Sequence, residues 1–457
     1  MSQRHIVVIG NGISGTTLAR HVRKRSDDTI TIISSESDYF YSRPALMYVY
    51  MGHMLQENTK PYEDRFWSEN RINLRRAHVN RVDTVQKVLH LDDHSTMSYD
   101  VLVIASGSHS NPGSWHGSHF EGVQGLVSLQ DLSAMESNTQ NCSRAVVVGG
   151  GLIGVEMVEM LRSRGIHVTY LVREFKFWSS ALRSEESDIV ERHIIADHGV
   201  DLHTQTELKE ILGDENGRVR AVLTTKGDEI PCSFVGIAIG VKPNIAFLQE
   251  SGIETGTGIL VNECFETSAK DVYAIGDCAE FRTALSGRTK IEQIWYTGRM
   301  QAETLAATLT GTTSVYRPVN FFNSAKLFDI EFQVYSRNVK IPDTCRSVFW
   351  MNHHRRCAIR LFYDPQTLRF EGVTLLGVRY RHEVCDRWLR EEKDIEYVLC
   401  HLSDANFDPE FYKTYEKEII AVYNRQTGRN LTLKKQGKLD EVIRFLKGKA
   451  PIQPIQL

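Results

Sequence analysis

The amino-terminal residues change from the apolar period of a strand to that of a helix within a few positions. Residues 5–9, His-Ile-Val-Val-Ile, form a short and mostly apolar run, which is typical of a strand buried on both faces of a parallel sheet. Further along, Leu18, Ala19 and Val22 recur at the spacing of one helix face. The pattern therefore predicts a strand, a loop and a helix at the start of a βαβ unit.

The loop between this strand and this helix is rich in glycine. Gly10, Gly12 and Gly15 stand at the spacing GxGxxG. In dinucleotide-binding folds such glycines make a tight turn, admit a pyrophosphate against bare backbone and let the helix pack on the strand. Ile13 and Ser14 complete the loop, and the phosphate would sit at the positive end of the helix. A glycine-rich surface turn is the alternative for a single motif of this kind.

The same arrangement occurs a second time in the middle of the chain. Residues 145–148 are an apolar run, a second GxGxxG follows, and a helical pattern continues as far as Gly165. Two such motifs, each between a strand and a helix, predict two bound dinucleotides and electron transfer between them. The residues predicted to contact the second dinucleotide are Gly149, Gly151, Leu152, Ile153 and Gly154.

The segment after the second predicted strand, residues 29–33, offers further cofactor contacts. Glu36 lies at the distance beyond the glycines at which an acidic residue binds ribose hydroxyls, although a solvated loop carboxylate is the alternative. The aromatic-rich segment that follows contains Arg43 and Pro44, and it is suited to lining a flat ring system. We predict that Glu36, Arg43 and Pro44 contact the first dinucleotide.

Composition narrows the class of protein. The 457 residues are 41% hydrophobic and 24% charged with a net charge of −3, which is ordinary for a globular protein and gives no reason to expect a nucleic-acid partner. No apolar run approaches the roughly 20 residues that span a bilayer. None of the eight cysteines forms a CxxC pair, so we predict no zinc knuckle, no metal site and a cytoplasmic location.

Five segments together resemble one family. They lie at residues 10–15, 41–44, 103–107, 149–156 and 272–279, and the third contains Ser106 where the family usually has threonine. In this order they resemble the FAD-dependent pyridine nucleotide–disulfide oxidoreductase superfamily, over roughly residues 4–310. The resemblance is greatest to the members without a disulfide, namely ferredoxin and rubredoxin reductases, the NAD(P)H-oxidising part of nitrite reductase and apoptosis-inducing-factor-like proteins.

The resemblance implies an α/β fold with two Rossmann-like domains and an α+β carboxyl-terminal domain. An FAD-binding domain at residues 1–120 and 244–315 would be interrupted by an NAD(P)-binding domain at 121–243. Residues 316–457 would form the carboxyl-terminal interface domain with an extension. The first glycine motif would bind FAD and the second NAD(P)H, with hydride passing from nicotinamide to flavin.

The resemblance also assigns roles to residues beyond the glycine motifs. Asp277 would accept hydrogen bonds from the ribityl chain of FAD, although alone such an aspartate is more often a helix cap. Glu156 would point toward the nicotinamide, or else be a first-turn acid that the helix dipole favours. Trp295 would lie beside the flavin ring, or else be a core aromatic. Further residues expected to line the cofactor sites are Ser106, Gly107, Gly240 and Gly276.

Two positions bear on the chemistry and on the coenzyme. Ser42 stands where disulfide-using relatives carry a redox cysteine, so disulfide chemistry is not expected. NADH-preferring relatives end the second strand of the NAD(P) domain with a glutamate, and Val172 occupies that place here. Arg173 and Lys176 could meet the 2′-phosphate of NADPH, whereas Glu174 would favour NADH. The spacing does not decide between the two coenzymes, and we favour NADPH.

The electron acceptor is not specified by any motif. A small redox protein such as a rubredoxin or ferredoxin is the first hypothesis, since the redox cysteine is absent. A quinone at a membrane surface is the second, because residues 438–447 form an amphipathic pattern with basic flanks. A flavin-binding structural or regulatory subunit is the third, and a homodimer is one possible assembly. The adjacent His353 and His354 are interpreted as solvated.

Overall fold

The apolar run at the amino terminus forms the central strand of a parallel sheet in the computed structural model, which describes residues 3–352, 354, 356–408 and 413–434. The first nine strands are β1 (His5–Ile9), β2 (Thr29–Ser34), β3 (Ile72–Arg76), β4 (Val79–Asp83), β5 (Val88–Leu91), β6 (Thr96–Ser98), β7 (Val101–Ile104), β8 (Ser108–Ser110) and β9 (Val123–Gln124). The next eight are β10 (Arg144–Val148), β11 (His167–Leu171), β12 (Asp201–His203), β13 (Leu208–Gly213), β14 (Val219–Thr224), β15 (Glu229–Pro231), β16 (Phe234–Ile237) and β17 (Val241–Pro243). The last eight are β18 (Ile259–Val261), β19 (Val272–Ala274), β20 (Ala279–Phe281), β21 (Phe321–Leu327), β22 (Ile330–Ser336), β23 (Arg346–Asn352), β24 (Cys357–Tyr363) and β25 (Phe370–Leu376).

Ten α-helices accompany these strands in the described part of the chain. They are α1 (Ile13–Arg23), α2 (Leu46–Tyr50), α3 (Asp64–Glu69), α4 (Leu129–Thr139), α5 (Leu152–Ser163), α6 (Ser184–Ala196), α7 (Trp295–Leu309), α8 (His382–Arg390), α9 (Ile395–Cys400) and α10 (Glu416–Thr427).

Two five-stranded parallel sheets carry the glycine loops. The first has the order β19–β7–β1–β2–β3, and the second has the order β12–β11–β10–β16–β9. The strand before each loop lies in the middle of its sheet and is almost wholly buried, as the continuous apolar runs predict. Each loop therefore opens at the carboxyl end of a central strand, where ligands bind in folds of this type.

A short antiparallel pair joins segments that precede and follow strands of the second sheet. Strand β8 follows β7 of the first sheet and pairs with β17, which follows β16 of the second sheet, and Ser110 lies opposite Val241. Smaller sheets complete this region: β4–β5–β6, β13–β14–β15 and the parallel pair β18–β20. The predicted domain boundaries at residues 120, 243 and 315 are not tested by these pairings and stay a prediction.

The chain divides into two compact units. The first comprises Met1–Val319 with the short segments Leu327–Asp329 and Asn338–Lys340, and it contains both parallel sheets. The second contains an antiparallel sheet of order β21–β22–β25–β24–β23, whose strands β24 and β25 are wholly buried. Helices α8, α9 and α10 contribute to the core of that second unit, which is centred on residues such as Trp388 and Phe370.

The predicted α/β fold with Rossmann-like domains is confirmed, and an antiparallel sheet accompanied by helices lies near the carboxyl terminus, as an α+β domain requires. Helices α8 and α9 are separate, and the side chain of Asp394 caps the second by accepting a hydrogen bond from the amide of Tyr397. The amphipathic pattern at 438–447 and His353 lie outside the described residues.

Candidate dinucleotide sites

The first glycine loop uses its three glycines in three different ways. Gly10 has φ of +112°, and a side chain there would collide with the carbonyl oxygen of Ala105 at the end of β7. A side chain at Gly15 would collide with the carbonyl oxygen of Gly10, so this glycine lets α1 pack against the loop. Gly12, in contrast, faces open space, with no heavy atom within 4 Å of the place a side chain would take. Gly10 and Gly15 are required by the fold, and Gly12 leaves room for a ligand.

The space beside Gly12 is suited to an anion. Gly12 precedes the first turn of α1 and, having no side chain, offers no cap to that helix. The amide groups of the first turn, which include those of Ile13 and Ser14, therefore point toward a site that a phosphate would complete. Ser14 also lies against Gly276 and Gly298, whose lack of side chains lets β19 and α7 approach the loop. The residues present fit the pyrophosphate of a dinucleotide.

The second glycine loop repeats this geometry. Gly149 has φ of +118° and lies against the carbonyl oxygen of Ala238. Gly154 lies against the carbonyl oxygen of Gly149, and Gly151 faces open space at the start of α5. Gly151, followed by Leu152 and Ile153, offers no side-chain cap to the helix. The two predicted dinucleotide loops are thus equivalent in their contacts and in their open position.

Asp277 lies directly after the last strand of the first sheet, close to the first glycine loop. It follows Gly276, which has φ of +77° and donates its amide to the side chain of Gln301 on α7, at 2.7 Å. Ser108 donates its hydroxyl to Oδ2 of Asp277 at 2.9 Å. Burial raises the pKa of Asp277, while Ser108 and Arg43 oppose the increase. The carboxylate of Asp277 is thus half-buried and oriented to accept further hydrogen bonds.

The carboxylate of Glu36 is half-buried and paired with Arg43, so it is not a solvated loop carboxylate. Its two oxygens accept from Arg43 at 3.0 and 2.6 Å, and its Oε1 also accepts from Tyr41 and from the amide of Leu129, which begins α4. Burial raises the pKa of Glu36, but Arg43 and the other donors outweigh it and the pKa is lowered. The Arg43 guanidinium also donates to the carbonyl oxygen of Val127. Glu36 and Arg43 therefore connect the end of β2 to the start of α4, and ribose binding by Glu36 stays a prediction.

The predicted residues at the ends of β7 and β16 lie beside the glycine loops. The Ser106 hydroxyl donates to the carbonyl oxygen of Asn244 at 2.7 Å, so it fastens the returning chain to the end of β7. Gly107 and Gly240 have positive φ and open space before them. Pro44 belongs to a short helical turn that follows Ser42. None of these contacts tests cofactor binding, and all four residues keep their predicted roles.

Glu156 lies in α5, one turn beyond Gly151. It falls outside the first helical turn, which contains no acidic residue, and its pKa is raised to about 7 by burial and by the neighbouring Glu159. Because the first turn contains no acidic residue, the alternative of a first-turn acid is wrong. A carboxyl group that loses its proton near neutral pH beside a cofactor loop is typical of a functional site.

Trp295 is the first residue of α7 and is half-buried, with its ring edge-on to that of Tyr296 at 5.3 Å between centroids. One turn later, Gly298 of the same helix lies against Ser14 of the first glycine loop. The start of α7 is therefore close to the first dinucleotide loop, as the predicted place of Trp295 requires. The contact of its ring with a flavin stays a prediction.

The end of β11 has an apolar residue where an acid would bind ribose. Val172 is buried and occupies the space beside Gly150. Arg173 is 70% exposed and pairs with Glu174 at 2.8 Å. Lys176 instead pairs with Asp188 and Glu191 of α6, at 2.5 and 3.2 Å, and therefore is not positioned as a phosphate ligand. Of these two basic residues, Arg173 is the one exposed enough to contact a ligand.

Three residues of the first site were not predicted from the sequence. Ser108 orients Asp277, Gln301 accepts from the amide of Gly276, and Gly298 permits the contact of α7 with the loop. Their partners are distant in the chain, and no spacing signals them. Gly298 lies inside α7, and a glycine within a helix is the one local feature that is typical of a close backbone approach.

The cysteine beside the first dinucleotide site is not suited to act as a nucleophile. Cys278, which follows Asp277, is wholly buried, and its thiol lies against the carbonyl oxygens of Ile104 and Ile275. Burial raises the pKa of Cys278, which disfavours the thiolate that acts as a nucleophile. Ser42 takes the position of the redox cysteine in disulfide-using relatives, as the sequence indicates. Among the described residues, which include all eight cysteines, no disulfide is present.

Two equivalent glycine loops on two parallel sheets, with an oriented aspartate at the edge of the first, define a protein that binds two dinucleotides. The family model for pyridine nucleotide-disulphide oxidoreductases matches residues 4–302, and the chain belongs to this family. It is an FAD-dependent NAD(P)H oxidoreductase of the branch without a redox disulfide.

The similar proteins support this assignment. A rhodocoxin reductase from Rhodococcus erythropolis is 31% identical over 321 residues, which cover 69% of this chain and 74% of the relative. A rubredoxin-NAD(+) reductase from Pseudomonas putida is 26% identical over 70% of this chain and 84% of the relative. A ferredoxin reductase structure from Rhodopseudomonas palustris shares the fold at a TM-score of 0.74 and 23% identity, covering 82% of this chain and 91% of that chain.

Proposed function

We propose that this protein oxidises NAD(P)H and delivers the electrons to a small iron–sulfur or rubredoxin-type protein. The observation that carries the proposal is the 31% identity to a rhodocoxin reductase over most of both chains, together with further relatives named as ferredoxin and rubredoxin reductases. Ser42 and the buried Cys278 support it, because they leave the site without a thiol suited to disulfide reduction.

In this proposal the chain binds FAD and the coenzyme, orients their two rings and shields them from water. The amides at the start of α1, beside Gly12, hold the FAD pyrophosphate, and those beside Gly151 hold that of the coenzyme. Asp277, which accepts a hydrogen bond from Ser108, would accept hydrogen bonds from the ribityl chain, and Trp295 would lie beside the ring. Bound FAD would supply the hydride-accepting and electron-transfer chemistry. The remaining task of the protein is to stack the two rings and exclude water.

Among the described residues, no helix has both the length and the apolar character that crossing a membrane requires. We propose a cytoplasmic location, which suits eight cysteines dispersed along the chain without a CxxC pair, because such cysteines are typical of proteins in a reducing compartment. A homodimer is the assembly that we propose to test by sedimentation equilibrium. A single species at about the monomer mass of 52.1 kDa would exclude the dimer.

The decisive experiment is anaerobic stopped-flow mixing of the purified yellow protein with NADH and, separately, with NADPH. We expect the flavin absorbance to bleach rapidly with at least one coenzyme, and to return when oxidised ferredoxin or rubredoxin is added. Reduction of free flavin by the same coenzymes serves as the control. Bound flavin that neither coenzyme reduces would refute the enzyme assignment, and bleaching without reoxidation by either acceptor would refute the acceptor.

A further inference from the structure

A second group of chemically competent side chains lies apart from the glycine loops. His193 is near the end of α6, His198 follows two residues after that helix, and Asp329 occupies the turn between β21 and β22. All three belong to the first compact unit. The side chain of His193 is 1% exposed, that of His198 31% and that of Asp329 63%, so the group reaches from the interior to the surface.

The ligand-type atoms of these three residues converge on one point. Nε2 of His198 lies 3.1 Å from Nε2 of His193. Oδ1 of Asp329 contacts Nε2 of His193 and lies 3.7 Å from Nε2 of His198. All three atoms are within 4.8 Å of one another. Two nitrogen ligands bound at about 2.0 Å in tetrahedral geometry are separated by about 3.3 Å, so the spacing of the imidazoles is that of a metal centre.

Neighbouring side chains orient both imidazole rings. Oδ2 of Asp197 lies 2.7 Å from Nδ1 of His193, which is the position of the carboxylate that supports a metal-bound imidazole. The ring of Phe328 stacks on that of His198, with 4.1 Å between centroids and 29° between planes. The amide of Phe328 donates to Glu159 of α5 at 3.1 Å, which fixes the turn that carries Asp329.

A protein-only arrangement is the competing explanation. In that arrangement no ion is bound, and His193 shares hydrogen bonds with Asp197 and with Asp329. The convergence of a second imidazole, His198, at 3.1 Å from the same nitrogen favours a shared ion. The zinc titration described below distinguishes the two arrangements.

We propose that His193, His198 and Asp329 bind one divalent transition-metal ion of the zinc class. The ligand atoms are His193 Nε2, His198 Nε2 and Asp329 Oδ1. Asp197 contacts the other ring nitrogen of His193. Two imidazoles and one carboxylate, without a thiolate, form a set that zinc accepts with a water as fourth ligand. The exposed side of Asp329 gives the ion access, and binding joins the 327–329 turn to α6.

The test uses the intact flavoprotein after treatment with a chelator and desalting. Zinc sulfate is titrated against a chromophoric chelator, with bound FAD absorbance as the check that each protein is folded. We expect one equivalent of Zn²⁺ in the wild type and at least a tenfold weaker site in His198→Gln and in Asp329→Asn. The matched control is His116→Gln, because His116 faces a single carboxylate, Glu210, at 3.2 Å. This variant should bind zinc as the wild type does.

Two results of the zinc titration would overturn the proposal. One is a wild type that binds no stoichiometric Zn²⁺, and the other is equal binding by the wild type and both ligand variants. Because a variant could lose its fold, Co²⁺ added to the wild type provides an independent measurement. Imidazole and carboxylate ligands give weak visible bands, whereas intense thiolate-to-metal absorption would place the ion on cysteines and refute the site. The zinc assay does not depend on redox activity.

Discussion

The raised pKa of Glu156 leads to a quantitative prediction about stability. The substitution Glu156→Gln removes the titrating group while keeping its shape. Burial and Glu159 raise the pKa of this carboxyl group from 4.5 to about 7 in the folded protein. At about 1.4 kcal/mol for each tenfold change in proton affinity, the charged form is disfavoured by up to about 3 kcal/mol. Since Glu156 is only half-buried, we expect about 1–3 kcal/mol.

The sign follows from proton binding in the two states. Between pH 4.5 and about 7, the folded protein retains the proton of Glu156 and the unfolded chain has released it. Wild-type stability therefore falls as the pH rises through this window and becomes level above it. The Glu156→Gln variant lacks this loss, so its advantage over the wild type should grow from about zero at low pH to about 1–3 kcal/mol near pH 8.

Urea unfolding of the FAD-bound protein between about pH 5 and pH 8 measures this difference. The control is Glu215→Gln, which removes an exposed carboxyl group from the turn between β13 and β14 and should show a constant difference. A difference between wild type and Glu156→Gln that does not change with pH would refute the reasoning. An NMR titration of the Glu156 carboxyl carbon, assigned by its loss in the variant, should show a midpoint of about 7.

Three further predictions concern the dinucleotide sites. Gly12→Ala adds a methyl group to open space, so the protein should fold but retain FAD at least about tenfold less tightly in ultrafiltration. The matched Gly151→Ala should keep FAD and raise the KM for NAD(P)H, and unchanged properties in both variants would contradict the two assignments. Asp277→Asn should loosen FAD more than Ser108→Ala does, since Ser108 acts through Asp277; equal losses would contradict that order. Arg173→Ala should raise the KM for NADPH more than that for NADH, and equal changes would remove Arg173 from coenzyme choice.

The glycine loops could be predicted from the sequence because their chemistry is local. The spacing of Gly10, Gly12 and Gly15 between a strand and a helix already implies one glycine for the turn and one for the ligand. The structure shows which glycine has which role, since Gly12 alone of the three faces open space. The second loop followed from the same pattern, and the fold class followed from both loops.

The contacts that orient the site could not be predicted, because they join distant parts of the chain. Ser108 and Asp277 are 169 residues apart, and a hydroxyl beside a strand has no periodic signal. Glu36 was correctly placed at the end of β2, but its partners Arg43 and Leu129 depend on how α4 packs. The proposed metal site likewise has no signal in the sequence, since Asp329 is remote from both histidines along the chain.

The order of strands in the first sheet has a consequence for synthesis on the ribosome. Strand β19 completes that sheet by pairing with β7, Val272 opposite Leu102, so the edge of β7 stays uncovered while everything between is translated. All five strands of the second sheet lie within the intervening residues, which can therefore fold first as a contiguous unit. A nascent chain halted before residue 272 would hold a finished second sheet and an unfinished first sheet, with an open edge able to pair with other chains.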